Sequence, residues 1–166
     1  MPPPIGAAAA FGISYRAETE EDRPFLAALY ASTRAEELAA FGWPPDMQCA
    51  FLAQQHEAQH RHYRGAYAAA EWLILLQEGG AVGRLYLEPR EAALHLIDIS
   101  LVPDRRGTGI GGAILADLIE QGRTLGKAIS LQVEKTNRAR RLYERLGFRT
   151  TADNGLYDWM ERPAEV

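Results

Sequence analysis

The sequence predicts an α/β fold: one domain in which a mixed sheet carries helices on its faces. Three observations lead there. Short apolar runs of strand length alternate with longer stretches whose apolar residues recur at helical spacing. Glycine- and proline-bearing clusters punctuate the junctions between them. The 166 residues, 47% hydrophobic and 24% charged, suit one globular domain with a substantial core.

Residues 1–12, MPPPIGAAAAFG, have no basic segment and little to bury, so they are expected as a disordered tail rather than a signal peptide. The domain then spans 13–166. ISYRAET (13–19) alternates as a first strand. Thr19 is an N-cap, and the acidic residues after it suit the positive end of a helix carrying Leu26, Leu29 and Tyr30 as its apolar stripe. FGWPPD breaks the chain, and Asp46 caps a second helix from about Met47 to Tyr67. EWLILLQ is a strand, EGG a hairpin turn and AVGRLYLE its antiparallel partner. LHLIDISLV reads as a central strand covered on both faces. A helix follows from Gly109 to about Leu125, ended by Gly126. AISLQVE is a strand, TNRARRLYERLG a helix stopped by Gly147, and FRTT with GLYDWM a closing hairpin.

Composition narrows the function. A net charge of −4 gives no general attraction to nucleic acid or to an anionic membrane, so any bound anion needs a local set of donors. No apolar run approaches the roughly 20 residues of a transmembrane helix. Cys49, the only cysteine, excludes intramolecular disulfides and fits a reducing cytoplasm.

RRGTGIGGAIL (105–115) is the segment richest in chemistry. A helix start offers unpaired N–H groups and the positive end of the helix dipole, and glycines let a phosphate come close. Arg105 and Arg106 add cations. A Walker A loop needs Gly-Lys-Ser/Thr, whereas Gly112 is followed by Ala113. A dinucleotide fingerprint belongs after the first strand of the chain, and this cluster comes late. A pyrophosphate cradle of another kind remains, beside a turn that merely packs a helix on a sheet.

LVPDRRGTGIGGAIL resembles the acetyl-CoA-binding motif of the GCN5-related N-acetyltransferases, Arg/Gln-x-x-Gly-x-Gly/Ala, with Arg106, Gly109 and Gly111 at its fixed positions. LQVEKTNRARRLYERLGF is similar to a second segment of that family, with Asn137 and Tyr143 in the functional places. The resemblance implies a mostly antiparallel sheet of six or seven strands with a splayed central pair, and acetyl transfer from acetyl-CoA, without a metal, to a primary amine. The backbone of Ile99, Ser100 and Leu101 would hydrogen-bond pantetheine as an added strand. Arg106, Gly107, Thr108, Gly109, Ile110, Gly111 and Gly112 would surround the pyrophosphate. Asn137 would bond a pantetheine amide, and it serves equally well as a helix N-cap. Tyr143 would protonate the departing thiolate, a general-acid role.

A base is harder to assign. Some relatives carry a glutamate five residues before the asparagine; here Gln132 stands there and accepts no proton. Asp98 and Glu134 are the carboxylates near the expected cleft. Asp98, inside an apolar strand, must be paired, desolvated or functional. The acceptor is left open among small-molecule and peptide amines, as is a homodimer through the C-terminal strands. A CoA-binding regulatory module without turnover is the alternative. A remoter one is a zinc hydrolase through His56, Glu57 and His60, which match H-E-x-x-H on a helix but lack a third ligand, and whose polar flanks point to a solvated helix face.

Overall fold

The computed structural model describes Pro3 and residues 6–165. Its elements follow as β1 (Ile13–Ala17), α1 (Arg23–Ala39), α2 (Pro45–Ala66), β2 (Glu71–Gln77), β3 (Gly80–Pro89), β4 (Ala93–Leu101), α3 (Ile110–Leu125), β5 (Ala128–Glu134), α4 (Arg140–Arg145), β6 (Arg149–Asp153) and β7 (Tyr157–Arg162). The seven strands form one sheet in the order β1-β2-β3-β4-β5-β7-β6. Only β4 and β5 run parallel; the other five pairings are antiparallel.

One face of the sheet packs on α3 and α4. Leu75, Leu85, Ile114, Leu118 and Leu131 are essentially sealed there, each burial stabilising by roughly 1.5–3 kcal/mol. The other face meets α1 and α2 through a more polar and aromatic layer in which Tyr63 crosses Tyr86 and Tyr86 crosses Trp72. At β3 the backbone of β4 comes very close: a Cβ on Gly83 would sit 2.2 Å from the Ser100 carbonyl oxygen. Glycine alone fits that crossing.

Two irregularities shape the centre of the sheet. The β3–β4 register shifts between Tyr86 and Leu87, leaving Ile97 as an extra residue on β4. Such a bulge changes which face the following side chains take. Leu94 and Leu96 before it, and Ile99 and Leu101 after it, all pack with the α3 core, while His95 and Asp98 meet α2 through Tyr67 and Tyr63. Beyond that, β4 and β5 pair only from Ala93↔Ala128 to Leu96↔Leu131. Past that rung Ile97–Leu101 and Gln132–Glu134 diverge. This is the splayed central pair.

Three expectations need correction. Residues 6–12 are not a loose tail: Ala7–Phe11 form a turn of 3-10 helix, and Ala8 is buried. Asp117 on α3 accepts the N–H groups of Ala7 (2.6 Å) and Ala8 (3.0 Å), giving that turn an anchor from a distant part of the chain. Met1, Pro2, Pro4 and Ile5 lie outside the described residues. The last helix is shorter than TNRARRLYERLG, because residues 136–139 form turns before Arg140. The HEAQH face is not wholly solvated: His56 is buried against Tyr30.

Candidate active site

Gly107 and Gly109 take left-handed backbone angles, φ +68° and +95°, and Gly109 is the N-cap of α3. Those two residues turn the chain from β4 into the helix. Among the described residues, nothing accepts the N–H groups of residues 107–112, which cluster where the helix dipole is positive. Ile110, buried at 2% exposure, pins the start of α3 to the core. Gly111 faces open space, and a Cβ on Gly112 would reach Leu142 of α4 at 3.8 Å. The Thr108 hydroxyl donates to the Arg105 carbonyl at 2.7 Å and closes the loop. Arg106 donates through Nε to the Leu101 carbonyl (2.9 Å) and through Nη2 to the Ser32 hydroxyl (2.9 Å), fixing the loop to β4 and α1.

The end of β4 opens beside this loop. The Val102 N–H bonds the Val82 carbonyl toward β3, so by strand alternation Leu101 and Ile99 turn their backbone groups toward the gap left by β5. Ser100 faces the other way, and its hydroxyl donates to Asp98 Oδ1 at 2.7 Å.

Tyr143 lies in α4, 7% exposed, against Phe148. Its hydroxyl bonds none of the described residues. Burial, aided by the charge of Asp98, pushes the phenol up to about 12. Asn137 accepts the Ala139 N–H at 2.9 Å and so closes a turn ahead of α4; the N-cap of that helix is Ala139, not Asn137, because the helix starts only at Arg140.

Asp98 is paired. Its Oδ2 accepts Arg84 Nη2 at 2.8 Å and the Tyr63 hydroxyl at 3.2 Å. Arg84, 3% exposed, also donates to Gln59 Oε1 at 2.9 Å. Burial, then the neighbouring carboxylate, raises the Tyr63 phenol above its ordinary range. With both oxygens engaged, Asp98 is organised as an acceptor that holds Arg84 and Tyr63. Glu134 stands apart, exposed, with the Tyr157 hydroxyl 3.5 Å away.

Between α1, α2 and the β4–β5–β7 face lies a cavity of about 470 Å³. Tyr30, Tyr63, Tyr67, Tyr157, His95 and Gln132 are among its lining residues. His95 is stacked between Tyr67 (5.8 Å) and Trp159 (5.1 Å), with Nδ1 2.9 Å from the Ser130 hydroxyl. Burial lowers its pKa to about 4, so the imidazole is neutral near pH 7. Of these residues sequence reasoning singled out Gln132 as a site position and missed the others, together with Arg84. The available signals were a lone cation in AVGRLYLE and a lone histidine in LHLID, each a polar group inside an apolar strand.

His56, Glu57 and His60 do share one helix, but Glu57 is held by Arg23 at 2.5 Å. Among the described residues, no group of three or more His, Cys, Asp or Glu side chains is placed to hold a metal ion.

Known proteins bear on this geometry. No curated protein matches the sequence. The chain resembles the PaiA N-acetyltransferase of Thermoplasma acidophilum, solved in complex with coenzyme A, at 16% identity and TM-score 0.68, covering 91% of this chain and 98% of that one. It also resembles the "histone acetyltransferase HPA2 and related acetyltransferase" of Corynebacterium glutamicum, at 23% identity and TM-score 0.63, covering 93% and 98%. An acetyltransferase of Thermus thermophilus aligns at 20% identity and TM-score 0.63, covering 91% and 96%. These likenesses show the fold. The family model described as Acetyltransferase (GNAT) family matches residues 33–148, more than half of the sequence, and the chain therefore belongs to the GNAT acetyltransferase family.

Proposed function

We propose that the protein transfers an acetyl group from acetyl-CoA to an amine held in the cavity between α2 and the sheet. The observation that carries this reading is the adjacency of two features: the cluster of unpaired N–H groups at residues 107–112, and the gap that opens where β4 and β5 part at Leu96 and Leu131. An anion suits the first, and an extended amide chain suits the second, with Ile99 and the Leu101 N–H as its rungs, the Leu101 carbonyl being held by Arg106. Acetyl-CoA supplies both, with an acyl group activated as a thioester.

The residues divide the work. Gly107, Thr108, Gly109, Ile110, Gly111 and Gly112 offer backbone donors to the diphosphate. Arg106 holds the loop in place and adds a positive charge. Asn137 shapes the turn before α4 and leaves its amide NH2 for the pantetheine arm. Tyr143 presents its hydroxyl to the sulfur. A C–N bond forms as the C–S bond breaks, one proton leaves nitrogen for water, and one reaches sulfur. With a phenol near 12 and a thiol reference near 8.5, complete transfer from Tyr143 is uphill by about 5 kcal/mol. Tyr143 therefore acts by donating a hydrogen bond as negative charge builds on sulfur. Asp98 is a positioning residue for Arg84 and Tyr63, and Glu134 orients Tyr157 at the cavity rim.

Calorimetry with acetyl-CoA, followed by thiol release on a panel of amines, tests the reading. Tight binding with release on at least one amine class is expected. Binding without release on any amine would support a regulatory module that keeps the cradle and lacks turnover. No binding would reject the cradle.

A further inference from the structure

We propose that the acceptor is a flat, weakly basic amine of the arylamine class, bound as the neutral base in the aromatic cavity; the inference rests on the acetyl-transfer reading above. The cavity, about 470 Å³, is in the size range of small-molecule sites and suits one or two rings. Its described lining consists of tyrosines, histidines, glutamines and aliphatic residues, with no Asp, Glu, Lys or Arg among them.

The two carboxylates of the splayed strands are already committed or lie outside. Asp98 is neutralised by Arg84 and accepts from Tyr63 and Ser100 as well. Glu134 is exposed to solvent at the rim beside Tyr157. Gln132, where the splayed strands diverge, offers an amide. His95 is clamped between two rings and stays uncharged at neutral pH. Tyr63 gives its hydroxyl proton to Asp98 and leaves ring surface to the cavity.

An alkylammonium ion entering this cavity would give up part of its hydration on the ring faces without gaining a counter-ion. Freeing the lone pair of an amine of pKa about 10.4 at pH 7 also costs roughly 4–5 kcal/mol, and the lining holds no carboxylate to take that proton, only the exposed His62 imidazole, a far weaker base than the amine. Tyrosine faces could hold a cation by cation–π attraction, but the nitrogen would stay protonated and inert. An aromatic amine avoids both costs. Its lone pair is delocalised into the ring, so it is a weak base and already neutral, and its ring packs against tyrosines in offset or edge-on geometry. Its nitrogen attacks the acetyl carbon, forming C–N and breaking C–S, and sheds one proton to water while the sulfur gains one.

Thiol release from acetyl-CoA, measured with matched amines (aniline against cyclohexylamine, p-anisidine against benzylamine), tests this. Arylamines should show kcat/KM at least tenfold higher, with a rate flat between about pH 6 and pH 8 because no ammonium is being titrated. Gln132→Glu places a carboxylate in the wall and should raise alkylamine turnover roughly tenfold or more. Preference for alkylamines in the unaltered protein, a rate that climbs with pH, or a Gln132→Glu variant no better with alkylamines would each overturn the proposal. Acetyl-CoA bound in calorimetry with no arylamine consumed would overturn it too, while leaving the cofactor cradle standing. Absence of acetyl-CoA binding would remove both.

Discussion

Burial raises the Tyr143 phenol to about 12, and this decides what the residue can contribute. It keeps its proton across the whole working range, so the donor is present at every pH where the fold survives. Tyr143→Phe should lower kcat roughly 10²–10³-fold, the usual loss for one donor aimed at a developing anion, with the Kd for acetyl-CoA unaltered. Single-turnover kinetics with calorimetry reads both; an unchanged chemical step would remove the assignment. Buried His95 carries the clearest pH signature. Its folded pKa, about 4, lies below the ordinary 6.5. Between these values the unfolded chain binds a proton that the native state does not, so stability is full above pH 6.5 and declines as pH falls. The loss reaches about 3 kcal/mol by pH 4. Asp22, held at about 2 chiefly by its hydrogen bonds from Arg16, adds a second loss from 3.8 down to 2. Urea unfolding at stepped pH should show the first decline, and His95→Phe should flatten it. An unchanged profile would mean that His95 is not the group titrating.

At the scale of elements, the parts whose cause is local were the ones the sequence made readable. EWLILLQ and AISLQVE coincide with β2 and β5 to the residue, since a strand bounded by turn residues carries its own signal. The glycine cluster marked a loop and a helix start for the same reason. Elements set by distant partners stayed hidden. The Ala7–Phe11 turn depends on Asp117, 110 residues away from Ala7, and composition alone made it resemble a tail. The bulge at Ile97 exists only in the register between β3 and β4. Within LIDIS, nothing tells that Asp98 pairs with Arg84, which stands two residues along β3 from Tyr86, the residue opposite Asp98. The cavity draws on α1, α2, β4, β5 and β7, so no single stretch announces it. Gly83, by contrast, gives a sharp test of the β3–β4 crossing. Gly83→Ala puts a methyl group 2.2 Å from the Ser100 oxygen and should destabilise by about 3 kcal/mol in denaturant titration. A loss under about 1 kcal/mol would mean that the two strands can separate without cost.

For the whole molecule, the consequential feature is that one sheet both opens and turns at the same place. The β4–β5 pairing ends at Leu96 and Leu131, and the chain leaving β4 wraps through Gly107 and Gly109 into α3. The seam between the two halves of the sheet thus meets a helix N-terminus, with the aromatic cavity on the far side of the same seam. Gly111 allows that arrangement to be probed without disturbing it. A Cβ there meets nothing within 4 Å, its φ is not in the left-handed region, and a glutamate in the first turn favours the helix dipole. Calorimetry of acetyl-CoA binding to Gly111→Glu is therefore the most direct measurement. The expected result is affinity reduced by a hundredfold or more (about 2.7 kcal/mol) with the melting temperature held or raised, because the new carboxylate occupies the anion's place. A variant that folds as well and binds acetyl-CoA as tightly as the unaltered protein would contradict the account.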